Sequence, residues 1–332
     1  MIRAAGAEEV ALLGAHADHP SGALALNEAT SRWRGGRVPG IVAHRRCGRH
    51  VVQFGGPFAA QGDRGALLDE FLDRVVAGGP RPSRLTAAQI RSADVPLYES
   101  RGFTVNQIGT SYSIDLSAFT LRGRHLAKIR QNVARARREG VTVHEADSRA
   151  PDQSELDAVD AEWLRAKGRH VKELSFLIGE RGGPGAPLRR TFVARRHGTT
   201  VGYITYSPAW GARPGWLYDL TRRSPKAPVG TIELVNLTAL ELFRSEGTGW
   251  LHLGLTPFAG LSERHEPASA SRTLTRSLRL VAEHGRAVYP ARTQEAFKLK
   301  WAPQVLEPEY AAFQGGVRPG AVWNLLRLTN SV

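Results

Sequence analysis

Residues 216–236 read WLYDLTRRSPKAPVGTIELVN, and the fold class turns on how that stretch is parsed. Bulky side chains at Trp216, Tyr218 and Leu220 alternate as they do in a strand. A basic turn follows, carrying Arg222, Arg223 and Lys226 and punctuated by Pro225 and Pro228. Gly230 and Thr231 then open a helix, because Ile232, Val235, Leu237, Leu240 and Phe243 recur at helical spacing. A strand that runs through a basic turn into a helix N-terminus is suited to an anion. Free backbone N–H groups point outward there, and the macrodipole adds partial positive charge. The expectation is an anion-holding site at Gly230 and Thr231, with Asp219 and Arg222 just before it.

Upstream of this stretch, Thr191–Arg196 and Thr200–Ser207 alternate around His197-Gly198 and read as a β-hairpin. Downstream, Trp250–Leu255 reads as a strand, Leu261–Ser271 as a polar, mobile loop, and Leu274–His284 and Ala291–Lys300 as helices. The remaining C-terminal part reads as irregular and aromatic, with Trp301, Tyr310, Phe313 and Trp323. In the first half, Val51–Gly56 and Leu85–Ile90 are strands, and Ala66–Val76 has an apolar helical face. Pro96–Arg101 is a short helix stopped by Gly102, and Phe103 starts another strand. Ser113–Leu116 reads as a strand leading to a linker, Val141–Glu145 as a strand and Ser154–Lys167 as a helix. The run Leu97–Phe103 resembles an ending found in acetyltransferase-like (GNAT) folds. Both halves repeat one rhythm of helix, hairpin, strand, helix and strand. The expectation is an α/β protein with mixed sheets, built from two GNAT-like domains at 1–120 and 121–332.

The chain has 332 residues, ample for two cores. It has no run of 18 apolar residues, so no membrane-spanning helix is expected. No signal peptide is visible, and the single cysteine, Cys47, leaves no internal disulfide or cysteine-based zinc site. Together these point to the cytoplasm. The histidines show no metal-like grouping, and there is no Gly-x-Ser-x-Gly elbow or Walker loop, which disfavours serine hydrolases and P-loop enzymes. The formal charge is +14, supplied mostly by arginine. Coding bias accounts for part of that, but an excess this large also favours a polyanionic partner, either nucleic acid or an anionic membrane surface. The charge concentrates in Leu121–Gly140, which reads as a helix with Leu126, Ile129 and Val133 inward. Arg122, Arg124, Lys128, Arg130, Arg135, Arg137 and Arg138 lie on its other faces, offset within the segment by Glu139 alone. That face either is simply solvated or contacts phosphates.

Several segments resemble, in order and rough spacing, the C-terminal domain of lysyl- and alanyl-phosphatidylglycerol synthases, the multiple peptide resistance factor family. They are LAKIRQNVARARREGVTV (126–143), AEWLRAKG (161–168) with ELSFLIG (173–179), and TFVARRHGTTVGYITYSPA (191–209). Next come YDLTRR (218–223) with the 228–231 helix opening, WLHLGLTPFAG (250–260) and FKLKWAPQVLEPEY (297–310). The resemblance implies a tandem GNAT-like fold that takes an amino acid from aminoacyl-tRNA, as co-substrate, and passes it to an acceptor nucleophile. That family's membrane-spanning half is not in this sequence. The acceptor is therefore left open between a small molecule and a lipid headgroup reached by peripheral membrane contact.

Within that frame, Asp219 and Arg222 either act on the ester, as proton acceptor and oxyanion stabiliser, or form a structural ion pair. The resemblance places a functional lysine in FKLKW. Lys298 and Lys300 share a face if the segment is extended and diverge if it is helical. Trp301 either stacks on a base or fills the core. Glu233 and Asn236 either hold the donor's amino acid or are ordinary helix polarity. Tyr203, Tyr206 and Tyr218 either line a pocket or fill the core. Arg223 and Lys226 join the tRNA-facing set. An acetyl-CoA N-acetyltransferase fits less well, because Lys226 and Pro228 stand where glycines would let backbone close on a pyrophosphate. A non-catalytic RNA-binding protein explains the charge but not the site motifs.

Overall fold

A computed structural model describes residues 6–79, 83–146, 153–167, 177–284 and 291–328. The strands are β1 (Ser31–Arg34), β2 (Ile41–Cys47), β3 (His50–Phe58), β4 (Arg84–Arg91), β5 (Phe103–Asp115), β6 (Val141–Glu145), β7 (Arg190–Arg196), β8 (Thr199–Ala209), β9 (Gly215–Arg223), β10 (Trp250–Pro257) and β11 (Val305–Gln314). The helices are α1 (Ala7–His16), α2 (Arg64–Phe71), α3 (Val95–Glu99), α4 (Ala127–Arg138), α5 (Gln153–Lys167), α6 (Thr231–Ser245), α7 (Arg272–His284), α8 (Ala291–Leu299) and α9 (Pro319–Leu328). Among the described residues the strands form one mixed sheet in the order β1-β2-β3-β4-β11-β5-β10-β9-β8-β7-β6. No described helix is long and apolar enough to cross a membrane.

The expected α/β class holds, and so does the repeated rhythm. Each half contains one parallel pair flanked by antiparallel strands: β3 beside β4, and β9 beside β10. Residue 120 falls between β5 and α4, but the sheet runs straight through that point. Strand β5, from the first half, pairs with β10; β11, from the second half, lies between β4 and β5.

The C-terminal part is therefore not irregular. Its strand was hidden because Tyr310 and Ala312 pack into one apolar cluster while Ala311 and Phe313 pack into another, so no polar alternation marks it. Pro308 argues against a central strand. It is tolerated because pairing with β4 begins only at Glu309. Three further expectations are corrected. The helix expected over 121–140 begins at Ala127, since Gly123 takes a left-handed φ of 96° and Arg130 Nη1 donates to the Leu121 and Gly123 carbonyls. The strands expected at Phe103 and Ser113 are one strand, β5. The 261–271 segment, expected to be mobile, is tied to β5. Ser262 N–H donates to Gln107 Oε1, and Asn106 Nδ2 donates to the Ser271 carbonyl.

The β7–β8 hairpin turns as expected at His197-Gly198, both at positive φ. Helix α6 lies on the sheet through Val235, Leu240 and Phe243, in one cluster with Ile129 and Val133 of α4. Gly230 opens α6 at φ 94°, and a methyl group there would overlap the Asn132 carbonyl of α4. Gly230→Ala should accordingly cost about 1–3 kcal/mol from backbone strain alone, read as a lowered denaturation midpoint. An unchanged midpoint would show that α4 and α6 are not in this close contact.

Candidate active site

Strands β9 and β10 pair only over Gly215–Leu217 and Trp250–His252. Beyond that, β9 stays with β8 and β10 stays with β5, so the two part and leave a wedge. A register shift in β10 between His252 and Gly254 marks the parting point. The carbonyls on that side of β10 no longer face a strand, and a buried polar group without a partner is costly. Lys298, from α8, supplies the partner: its Nζ donates to the Gly254 carbonyl at 2.8 Å and the Leu255 carbonyl at 2.9 Å. The ammonium also lies 5.6 Å from the centre of the Tyr112 ring. Lys298 is only 7% exposed. Burial pushes its pKa down to about 7, with the Glu309 carboxylate pulling partly back. Near neutral pH this amine is thus poised between its charged and free forms.

At the vertex of the wedge, His252 Nε2 lies 2.9 Å from the Arg213 carbonyl and Nδ1 lies 2.7 Å from Ser113 Oγ. The bonding network assigns Nε2–H as donor and Nδ1 as acceptor. Burial pushes the pKa down to about 4, so the ring is neutral. Sequence reasoning singled out neither residue, although His252 lies within the WLHLGLTPFAG segment.

Asp219 and Arg222 do not pair with each other. A register shift in β8 between Thr205 and Tyr206 turns this part of the sheet. Tyr206 and Tyr218 consequently pack under α6, whereas Tyr203 and Leu220 pack under α5. The Asp219 side chain is 2% exposed, accepts from Ser207 Oγ and lies 3.7 Å from Arg189 Nε. Burial raises its pKa; the Arg189 charge and the Ser207 hydroxyl oppose that. Gly179 presses on the carboxylate so closely that a methyl group would overlap it. Arg222 instead lies over the Trp163 ring at 4.1 Å and 3.6 Å from Asp160. Both residues are thus engaged in holding the 179–189 segment and α5 against the sheet.

The α6 N-terminus is also occupied by the chain itself. Glu233 sits in its first turn and takes hydrogen bonds from Lys300 Nζ at 2.6 Å and Asn132 Nδ2 at 2.9 Å. Burial alone would raise the Glu233 pKa, but the Lys300 and Asn132 contacts and its own backbone N–H bring it below the usual range. Thr231 is buried, its hydroxyl donating to the Pro228 carbonyl. The anion expected there from a ligand is supplied by Glu233.

Lys298 and Lys300 diverge, as a helical segment requires. Trp301 is fully buried in the core beside Phe119, so it cannot stack on a base. Tyr203 and Tyr206 are buried too, their hydroxyls donating to Asp160 and to Asn236 Oδ1. Tyr218 is part-buried between Tyr206 and Phe297. The cationic set remains at the surface: Arg122, Arg124, Lys128, Arg130, Arg135, Arg137, Arg138, Arg223 and Lys226 are exposed. Arg135 pairs with Glu139. Because Gly230 touches Asn132, the Arg223–Lys226 turn adjoins the α4 cations. Residues 173–176 of the ELSFLIG segment lie outside the described residues.

The family model described as "Phosphatidylglycerol lysyltransferase, C-terminal" matches residues 10–313. The phosphatidylglycerol lysyltransferase of Bacillus subtilis (strain 168) is 25% identical over 274 residues, covering 80% of this chain and 30% of that protein. The lysylphosphatidylglycerol biosynthesis bifunctional protein LysX of Mycobacterium ulcerans is 32% identical over 162 residues, covering 48% of this chain and 14% of that protein. This chain therefore spans less than a third of the length of either relative. Among solved structures, L-PGS from Bacillus licheniformis shares the fold with a TM-score of 0.77 at 22% identity, covering 97% of this chain and 96% of that one.

Lys298 makes stability depend on pH with a definite sign. Unfolded lysine keeps its proton to about pH 10.4, while folded Lys298 releases it near 7. Between these values the unfolded chain binds more protons, so stability rises with pH; below pH 7 the burial penalty is felt in full. Comparing wild type with Lys298→Met by denaturation, the difference should move in favour of wild type from pH 7 to pH 10. The movement should exceed about 1.4 kcal/mol, one pK unit. A pH-independent difference would show that the lysine titrates normally.

Proposed function

Because the chain belongs to the phosphatidylglycerol lysyltransferase C-terminal family, we propose that it transfers an amino acid from aminoacyl-tRNA to a nucleophile on an acceptor, with the β9–β10 wedge as the reacting centre. The observation that carries this reading is Lys298, held at a strand parting with a pKa of about 7. A group that titrates near the working pH serves best as general base and then general acid.

An aminoacyl ester is already activated, so positioning and one proton relay are sufficient chemistry. The acceptor's hydroxyl or amine gives its proton to the Lys298 amine as its oxygen or nitrogen attacks the ester carbonyl carbon. The tetrahedral intermediate then collapses. The bond from that carbon to the ribose oxygen breaks, and Lys298 returns the proton to the departing oxygen. The lysine ends as it began. Asp219 and Arg222 act as positioning residues through the segments they hold. The exposed cations of 122–138, with Arg223 and Lys226, take the tRNA backbone, where charge and not base identity governs affinity.

For the acceptor, the phosphatidylglycerol in the relatives' names supports a lipid headgroup hydroxyl. A soluble hydroxyl or amine is the other arm of the test. Purified protein would be incubated with labelled aminoacyl-tRNA and either phosphatidylglycerol vesicles or lipid-free cell extract. Label is expected in the lipid fraction. Lys298→Met should lower transfer at least about tenfold, or 1.4 kcal/mol. Lys298→Arg should not restore it, because guanidinium stays protonated. Affinity for tRNA should fall steeply between low and moderate salt. Label appearing in neither fraction, or salt-independent tRNA binding, would contradict the reading.

A further inference from the structure

Glu309 is a buried acid whose charge the protein leaves incompletely answered. It stands on β11 with Gly109 of β5 on one side and Arg91 of β4 on the other. It is 2% exposed, and among the described residues neither carboxylate oxygen accepts a hydrogen bond. The groups around it are committed elsewhere. His19 Nδ1 accepts from the Ser21 N–H, which leaves the ring proton on Nε2, and that nitrogen stops 3.5 Å from Glu309 Oε1 without forming a hydrogen bond. Arg91 is taken by Asp18 and lies 3.9 Å from Glu307, which is itself bonded to Arg213. Lys298 feels the Glu309 charge, but its hydrogen bonds go to the two β10 carbonyls.

Gln89 adds a second orphan acceptor. It lies on β4 at φ 55°, just past Ala88, where β4 stops pairing with β3. Its Nε2 donates to the Leu177 carbonyl, while its buried Oε1 has no donor. Leu177 packs on the cluster containing Phe54, and the His19 ring sits against Phe54 at 6.1 Å. In the β4–β11 register Gln89 is the residue skipped between the partners of Tyr310 and Ala311, close along the strand to the partner of Glu309, and His19 lies 3.5 Å from Glu309.

An unpartnered buried carboxylate is costly, and such groups in folded proteins are normally paired. The orphan atoms are acceptors and two of them form a carboxylate, so a ligand held there would be an N–H donor, best a cationic one, and not an anion. We propose that Glu309, with Gln89 Oε1 beside it, binds an ammonium group of the aminoacyl donor and so presents the donor's ester carbonyl toward Lys298. This deepens the transfer reading and rests on it for the identity of the ligand. The ammonium belongs either to the α-amine of any amino acid or to a cationic side chain.

The test uses the full chain without tRNA or acceptor, so its failure is separable from failure of the transfer reading. Binding of alanine methyl ester, lysine methyl ester and N-acetylalanine methyl ester would be measured by calorimetry on wild type and Glu309→Gln. Wild type should bind the esters that carry a free ammonium and not the acetylated one. Glu309→Gln should weaken that binding at least tenfold while melting no lower than wild type, because it keeps the shape and removes an uncompensated charge. Equal loss for alanine and lysine esters assigns the α-ammonium; loss confined to lysine assigns the side chain. Both outcomes support the proposal. Should Glu309→Gln not fold, Gln89→Asn, which tolerates the left-handed backbone and withdraws the acceptor by one methylene, is expected to weaken binding in the same direction. Unchanged affinity in the folded variants, tight binding of the acetylated ester, or no binding of either free-amine ester by wild type would overturn it.

Discussion

Two parallel strands that part in mid-sheet leave backbone carbonyls with nothing to accept from, and the site depends on how this chain answers that. At the β9–β10 parting the answer is a lysine brought in by α8. The same two hydrogen bonds that satisfy the Gly254 and Leu255 carbonyls hold the amine in a place where burial opposes its charge. In the proposed transfer, a structural need of the sheet and a chemical need of the reaction would be met by one side chain. A solvent-exposed lysine would stay fully protonated at neutral pH and could not take a proton from an acceptor.

The interleaving of the two halves decides what surrounds that lysine. Strand β11 follows α8 in sequence, yet it inserts between two strands of the first half. It carries Glu307 to Arg213 and Glu309 to the neighbourhood of His19 and Lys298. Were each half to complete its own sheet, these charges would not meet. The segment 177–179 makes a second link: the Leu177 carbonyl accepts from Gln89 in the first half, and Gly179 rests on Asp219 in the second. The proposed reacting centre is thus shared by both halves.

Much of this was legible in the sequence and some was not, for identifiable reasons. The β9–turn–α6 unit, the His197-Gly198 hairpin and the stop of α4 near Gly140 follow from local rules and are found as expected. Strand β11 was not legible, because both its faces are buried and its start contains Glu307, Pro308 and Glu309, the residues of a loop. Asp219 and Arg222, three apart at a basic turn, suggested a pair; the register shift beside them and the approach of Gly179 and Trp163 gave each another partner. Basic loops before helices suggested a ligand anion at Gly230, but Glu233, one turn on, reaches that place first. Trp301 beside two lysines suggested a nucleic-acid contact, whereas the turn ending α8 points it into the core. For Asp219, Arg222 and Trp301 the residue was identifiable and its contacts, from segments elsewhere in the chain, were not.

The central claim is that the wedge between β9 and β10 receives the donor ester against Lys298. It is tested most directly by a crystal structure with a non-hydrolysable aminoacyl-amide of the terminal tRNA adenosine. The account predicts the amide carbonyl oxygen within hydrogen-bonding distance of Lys298 Nζ, with the adenosine leading out toward the exposed cations. An analogue seated instead at the first turn of α6, against Arg223 and Lys226 and away from Lys298, would contradict it.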